Sequence, residues 1–213
     1  MTWRPSLWHV DDDLLVVEKP AGLLSVPGRS VQEQDCLSAR VTAWWADARI
    51  VHRLDMPTSG LMLMPRNAGA HRALSIAFEQ RRVDKRYIAV VHGQVRGDIG
   101  TVDVPITVDW PNRPRQHVDA DLGRPSLTHW RVLDRLPPGE DTGPCTRLEL
   151  KPITGRAHQL RVHLLHIGHP IVGDRLYRPE DHATPRLMLH AAGIAFDHPR
   201  TGLPLAFDSP PPF

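Results

Sequence analysis

The sequence predicts an α+β fold, a mostly antiparallel mixed β-sheet flanked by helices with a central basic cleft. Three observations carry that expectation. Apolar runs at residues 14–17, 61–64 and 87–91 are too short for helices and long enough for buried strands. Residues 128–136 and 146–150 alternate apolar with polar side chains, as half-buried antiparallel strands do. Residues 36–46, 67–82 and 160–167 carry apolar positions at helical spacing.

A chain of 213 residues is long enough to bury a substantial core, and one domain spanning 1–213 is expected. Hydrophobic residues make up 41% and charged residues 23%, a globular balance. No run approaches the roughly 18 apolar residues of a membrane span. The opening Met1-Thr2-Trp3-Arg4-Pro5 has no apolar signal core, so a cytoplasmic protein, a monomer, is expected. Cys36 and Cys145 stand far apart and outside any C-x-x-C pair, which predicts two free thiols, Cys145 the more exposed. Net charge is only +2, yet cations cluster. Arg81, Arg82, Lys85 and Arg86 surround Asp84, and Lys151, Arg156, Arg161, Arg175 and Arg178 face Asp174 alone. Basic clusters separated by core segments are what a phosphate-tracking groove needs.

Taken in order, the first strand over 14–18 is broken by Lys19-Pro20-Ala21-Gly22, and Ser25-Val26-Pro27-Gly28-Arg29 makes a second turn. In the helix over 36–46, Leu37, Val41, Trp44 and Trp45 share a stripe, which puts the tryptophans in core packing. Arg49-Ile50-Val51 reads as the end of a strand. His52-Arg53-Leu54-Asp55-Met56-Pro57-Thr58-Ser59-Gly60 then sets a carboxylate between two potential cations and a hydroxylated turn. A loop held between core elements is where a reactive group is both fixed and reachable. A neighbouring guanidinium keeps such an aspartate ionised, which suits a nucleophile or electrostatic stabiliser better than a general acid. The structural alternative is an aspartate capping the backbone amides of Thr58 and Ser59.

Asn67 caps the next helix, with Leu74, Ile76, Ala77 and Phe78 on its apolar side. Lys85-Arg86-Tyr87-Ile88-Ala89 opens a strand, where a tyrosine packs one face and offers a hydroxyl. Residues 101–117, rich in proline and charge, read as a stiff, ordered loop or as a proline hinge. Residues 136–144 read as a hairpin-type loop. Thr154-Gly155-Arg156-Ala157-His158-Gln159-Leu160-Arg161 is a glycine turn running into a helix whose N-terminus receives anions. Leu160, Leu164, Leu165 and Ile167 are its expected buried stripe. His158, His163, His166 and His169 do not share one helical face and lack a cysteine or acidic companion, so no metal site is expected. There is no glycine-rich phosphate loop or dinucleotide fingerprint, and no cofactor is expected.

The chain resembles the RluA-type pseudouridine synthases from about Leu14 to Pro210, opening with the strand that leads into Lys19-Pro20-x-Gly22 and Val26-Pro27-Gly28-Arg29, and four further stretches carry the likeness. They are the nonapeptide ending at Gly60, Lys85-x-Tyr87-x-Ala89, the Thr154-to-Arg161 segment, and Arg186-Leu187-x-Leu189-His190-Ala191. The resemblance implies isomerisation of uridine to pseudouridine in RNA, with Asp55, Tyr87 and Arg156 catalytic. It makes Asp55 the carboxylate, Arg156 its partner and Tyr87 the ring that stacks on uracil and handles its proton. Leu189 would line the uracil pocket, and Arg53 would fill the space a flipped uridine leaves. His52, Thr58, Arg113, Arg115, His158 and Arg161 complete the expected substrate contacts, the two loop arginines on phosphates. No small RNA-binding module precedes the matched segment, so the catalytic domain itself would grip the RNA. Asp109-Trp110-Pro111-Asn112-Arg113-Pro114 resembles the dual-specificity branch of the family, which implies large-subunit ribosomal RNA and a transfer RNA anticodon stem-loop as partners. A non-catalytic RNA-binding or ribosome-assembly factor on this scaffold accounts for the basic clusters but not for the Asp55, Tyr87, Arg156 set. A metal-dependent ribonuclease using the histidines is a third reading.

Overall fold

A computed structural model describes residues 3–139, 143–182 and 184–213. In chain order its elements are β1 (Ser6–Val10), β2 (Leu14–Lys19), α1 (Leu37–Thr42), β3 (Ser59–Pro65), α2 (Ala68–Glu79), β4 (Asp84–His92), β5 (Ile99–Asp103), β6 (Ile106–Val108), β7 (Gln116–Val118), β8 (Leu127–Gly139), β9 (Gly143–Pro152), α3 (Gln159–His166), β10 (Leu189–Asp197) and β11 (Pro204–Asp208). This is the α+β class that the strand and helix patterns predict. The chain forms two units, residues 1–85 with 191–212, and residues 86–190 with 213.

In the first unit β1, β2 and β3 pair antiparallel in that order, β10 lies beside β3, and β11 pairs antiparallel with β10. The unbroken apolar runs of β2 and β3 follow from burial on both faces, the condition that removes polar alternation from a strand. Leu14, Val16, Leu61 and Leu63 pack with Leu74 and Ala77 of α2 and with Ile194 and Phe196 of β10. Each of these leucine, valine, isoleucine and phenylalanine side chains contributes about 1.5–3 kcal/mol by leaving water. Gly60 sits where β3 begins, at φ +116, and a Cβ there would lie 2.3 Å from the Ala191 carbonyl oxygen. Only glycine lets the two backbones approach this closely. Asn67 caps α2 as expected, its side chain accepting from the Ala70 amide.

The second unit holds the antiparallel order β4, β9, β8, β5. Leu160 and Leu164 of α3 pack onto Ala89, Val91, Leu148 and Leu150 of β4 and β9. Beside them β6 and β7 form a separate antiparallel hairpin whose Ile106 and Val118 pack on Val162 and Tyr177.

Several expectations change. Residues 49–51 form no strand; Arg49 makes a single main-chain bond to Pro65, and Val51 packs at the edge of the first core. The helix over 36–46 is only α1, so Trp44 falls past its end and is 49% exposed beneath Arg4 instead of joining the core. The proline-rich stretch is β5, β6 and β7, because Pro105, Pro111 and Pro114 fall between strands and leave every strand amide free to bond. Cys145 is buried, as is Cys36, since β9 carries it onto a face with Val90 and Val172. Strands β8 and β9 run further into the expected 136–144 loop than alternation suggested, and residues 140–142 lie outside the described residues.

Candidate active site

The Asp55 loop of the first unit is tied down through its main chain. The Ser25 hydroxyl donates to the Leu54 carbonyl at 2.7 Å and accepts the Leu54 amide at 3.1 Å. The Met56 carbonyl accepts from the Gly22 amide at 2.9 Å and from the Lys19 ammonium at 3.0 Å. Lys19 is 0% exposed at the end of β2, and its ammonium also donates to the carbonyls of Pro20 and Leu23 at 2.9 and 2.7 Å. One buried cation thus gathers the Lys19-to-Gly22 turn and the Asp55 loop. The Thr58 amide closes the turn on the Asp55 main-chain carbonyl at 3.1 Å. Asp55 is half-buried, Arg53 exposed and Thr58 buried.

His52, expected among the substrate contacts, is turned inward. Its Nε2 accepts the Leu63 amide at 2.9 Å, and its ring stacks on Phe78 with centroids 4.7 Å apart. Burial, with the Lys85 charge as a smaller contribution, pushes its pKa down to about 3. Protonation breaks the Leu63 bond, so the folded chain holds the neutral ring while the unfolded chain titrates near 6.5. Stability from this group is full above about pH 6.5 and is lost as pH falls toward about 3. Urea unfolding should therefore show stability falling by up to about 1.4 kcal/mol per pH unit across that window. A His52→Gln variant should flatten the slope, and an unchanged slope would remove the inward ring as its cause.

The second unit brings the other expected residues into two groups. Tyr87, half-buried, packs against the cluster that contains Leu189. The second group forms around the turn before α3. Gln159 accepts from the Thr154 hydroxyl at 2.8 Å and from the Arg156 amide at 3.0 Å, and donates to the Leu127 carbonyl and the Thr128 hydroxyl at 3.0 Å each. This fixes the backbone from which Arg156 projects. The half-buried Arg156 gives its Nε–H to the Pro125 carbonyl at 3.4 Å. His158, at φ +54, enters α3 in the left-handed region.

Tyr177, which sequence reasoning gave no role, is the hub here. Its hydroxyl accepts the Gln116 amide at 2.8 Å and bonds His158 Nδ1 at 2.8 Å, while Arg115 and Arg161 lie over its ring at 5.4 and 5.0 Å. The one available signal was that the chain has only two tyrosines. Three of the expected substrate contacts have protein partners in this structure. Arg161 is 4% exposed and forks onto Asp174, 2% exposed, at 2.8 and 2.7 Å, so its guanidinium faces inward. Arg115 lies on Tyr177 and the exposed Arg113 lies over Trp110 at 4.7 Å, so both stack on rings in the free chain. Of the four neighbouring histidines, His163 bonds Thr128 and His169 bonds the His92 carbonyl, which gives them separate partners. Among the described residues the one cluster with metal-ligand spacing is Asp11, Asp13 and His198 in the first unit, and Arg200 forks onto both Asp13 oxygens at 2.7 Å each.

Residues 13–166 match the family model described as RNA pseudouridylate synthase. The chain is 45% identical over 207 residues to the dual-specificity RNA pseudouridine synthase RluA of Pasteurella multocida, covering 96% of this chain and 92% of that one. It is 44% identical over 213 residues to the protein of the same name in Escherichia coli strain K12, covering 99% and 94%. Among solved structures it is similar to human RNA pseudouridylate synthase domain containing 1, with a TM-score of 0.82 at 28% identity over 99% of this chain and 84% of that one.

Proposed function

Because the chain belongs to the RNA pseudouridylate synthase family and is an RNA pseudouridine synthase, an isomerase of uridine in RNA, we propose that Asp55 carries its reaction. The observation that carries this reading is a half-buried carboxylate on a loop whose flanking main chain is bound by Lys19, Gly22 and Ser25. Fixing a reacting group in advance lowers the barrier by removing reorganisation at the moment of reaction.

The C1′–N1 bond breaks, the uracil turns over, and C5 bonds to C1′ while its proton is lost and N1 gains one. Atoms and electrons balance within the nucleotide. Asp55 acts at C1′ or C6 as a nucleophile, or at C2′ as a base; each of these roles requires the ionised form. Arg156 serves as its guanidinium partner, a use for which a planar, permanently charged fork surpasses lysine. Tyr87 stacks on the uracil and relays its proton beside Leu189. Arg53, exposed two residues before Asp55, takes the place of the flipped uridine in the RNA. Thr58 and His52 hold the loop from beneath, and Arg113, Arg115 and His158 bound the RNA-facing side.

The chain works as one cytoplasmic, monomeric catalytic domain and, like the relatives named dual-specificity, accepts more than one RNA, with large-subunit ribosomal RNA and a transfer RNA anticodon stem-loop as its substrates. Carbodiimide mapping of pseudouridine in total RNA, with and without the gene, tests this. Loss of one defined site in each RNA class is expected. Loss in a single class would remove dual specificity, and loss of none would remove the activity.

A further inference from the structure

The hairpin between β6 and β7 ends in an aromatic side chain that no step above uses. Trp110 is 66% exposed, and the Arg113 guanidinium lies over its ring at 4.7 Å. With one face under that cation, the exposed surface is the other face and the edge. The tip that carries this pair is stiff. The Asn112 side-chain amide donates to both Asp109 carboxylate oxygens at 3.0 Å, and main-chain bonds join Asp109 to Arg115 and Arg115 to Asn112 at 3.0 Å each. Its base is anchored as well, since the Gln116 amide reaches Tyr177, which holds His158, two residues past Arg156. A rigid path therefore links the tip to the turn that presents Arg156.

We propose that Trp110, backed by Arg113, is a stacking platform for one unpaired RNA base other than the uridine that is isomerised, and so selects substrates by the shape of the loop around the target. The proposal rests on the RNA pseudouridine synthase reading above. An indole with a cation on its far side gives a flat surface for any nucleobase and a charge that draws in the polyanion. Arg113 reaches the RNA through this stack and not as a separate phosphate hook. The tip carries Arg113 and Arg115 against Asp109 alone, which makes it cationic and suits a nucleic acid better than an apolar protein partner.

The probe is a synthetic fluorescein-labelled RNA stem-loop with unpaired uridines, with abasic sites placed at its loop nucleotides one at a time. Trp110→Ala should raise both KM and the Kd read by anisotropy about tenfold with kcat little changed, and Trp110→Phe should keep most of the affinity. One abasic position should weaken the wild-type chain by the same factor and cost Trp110→Ala nothing more. Equal abasic penalties in both proteins at every position would overturn the proposal. So would an unchanged Kd, or a Trp110→Ala effect confined to oligomeric state in gel filtration, which would assign the ring to a protein contact. Because Kd needs no turnover, abasic coupling without isomerisation would sink the Asp55 reading alone, and isomerisation without coupling would sink this one alone.

Discussion

Asp55→Asn is expected to lower the rate of isomerisation by about 10⁴-fold or more, the scale on which loss of a covalent or proton-transferring group falls. The same variant should bind RNA within a few-fold of the wild type. The amide keeps the size and shape of the carboxyl and removes its charge and basicity, which every role open to Asp55 requires. Loop geometry should survive, because main-chain bonds at Leu54, Asp55 and Met56 hold it and asparagine keeps the side chain's shape. RNA tritiated at uracil C5 provides the readout, since C5 loses its hydrogen only when the new bond to C1′ forms. Tritium release by the variant at more than a thousandth of the wild-type rate would remove Asp55 from the chemistry. Loss of RNA binding along with turnover would make its role structural instead.

The parts of this site legible in the sequence are those whose chemistry and local geometry coincide. Asp55 was singled out by the resemblance of its nonapeptide to the family, since on its residues alone a turn-capping aspartate accounts for it as well. The strands at residues 14–18 and 61–64 were legible because β2 and β3 are buried on both faces and their central residues are unbroken apolar runs, whereas the short 49–51 segment formed no strand. Direction was not legible. His52, Arg115 and Arg161 have side chains suited to a phosphate, yet each is turned onto a protein partner, and residue type does not say which way a side chain points. Those partners, Leu63, Tyr177 and Asp174, lie 11, 62 and 13 residues away, beyond any local motif. The β6–β7 hairpin was hidden by its own prolines, which lower strand propensity without touching the amides that pair. Trp44 was misplaced because helical spacing persists past the residue where α1 stops. Lys19 was read only as a strand breaker; its part in holding the Asp55 loop depends on a bond to Met56, 37 residues on.

Asp174→Ala is expected to destabilise the chain by about 3–5 kcal/mol, a large share of the roughly 5–15 kcal/mol that holds a protein of this kind folded. Deleting the carboxylate leaves the Arg161 guanidinium buried with its fork unanswered, since both donors at 2.8 and 2.7 Å point at Asp174. The consequence reaches past the pair. Arg161 also lies over Tyr177, whose hydroxyl fixes His158 and the base of the Trp110 hairpin, so surviving folded protein should grip RNA less firmly. The double variant Arg161→Met, Asp174→Leu separates the two possible functions of the arginine. Exchanging a buried ion pair for apolar side chains of similar volume is often neutral, so stability in urea should largely return. If Arg161 is a brace, RNA affinity returns with it. If stability recovers and affinity stays low, the guanidinium leaves Asp174 for the RNA during turnover, and its inward pose is the resting arrangement of a substrate contact.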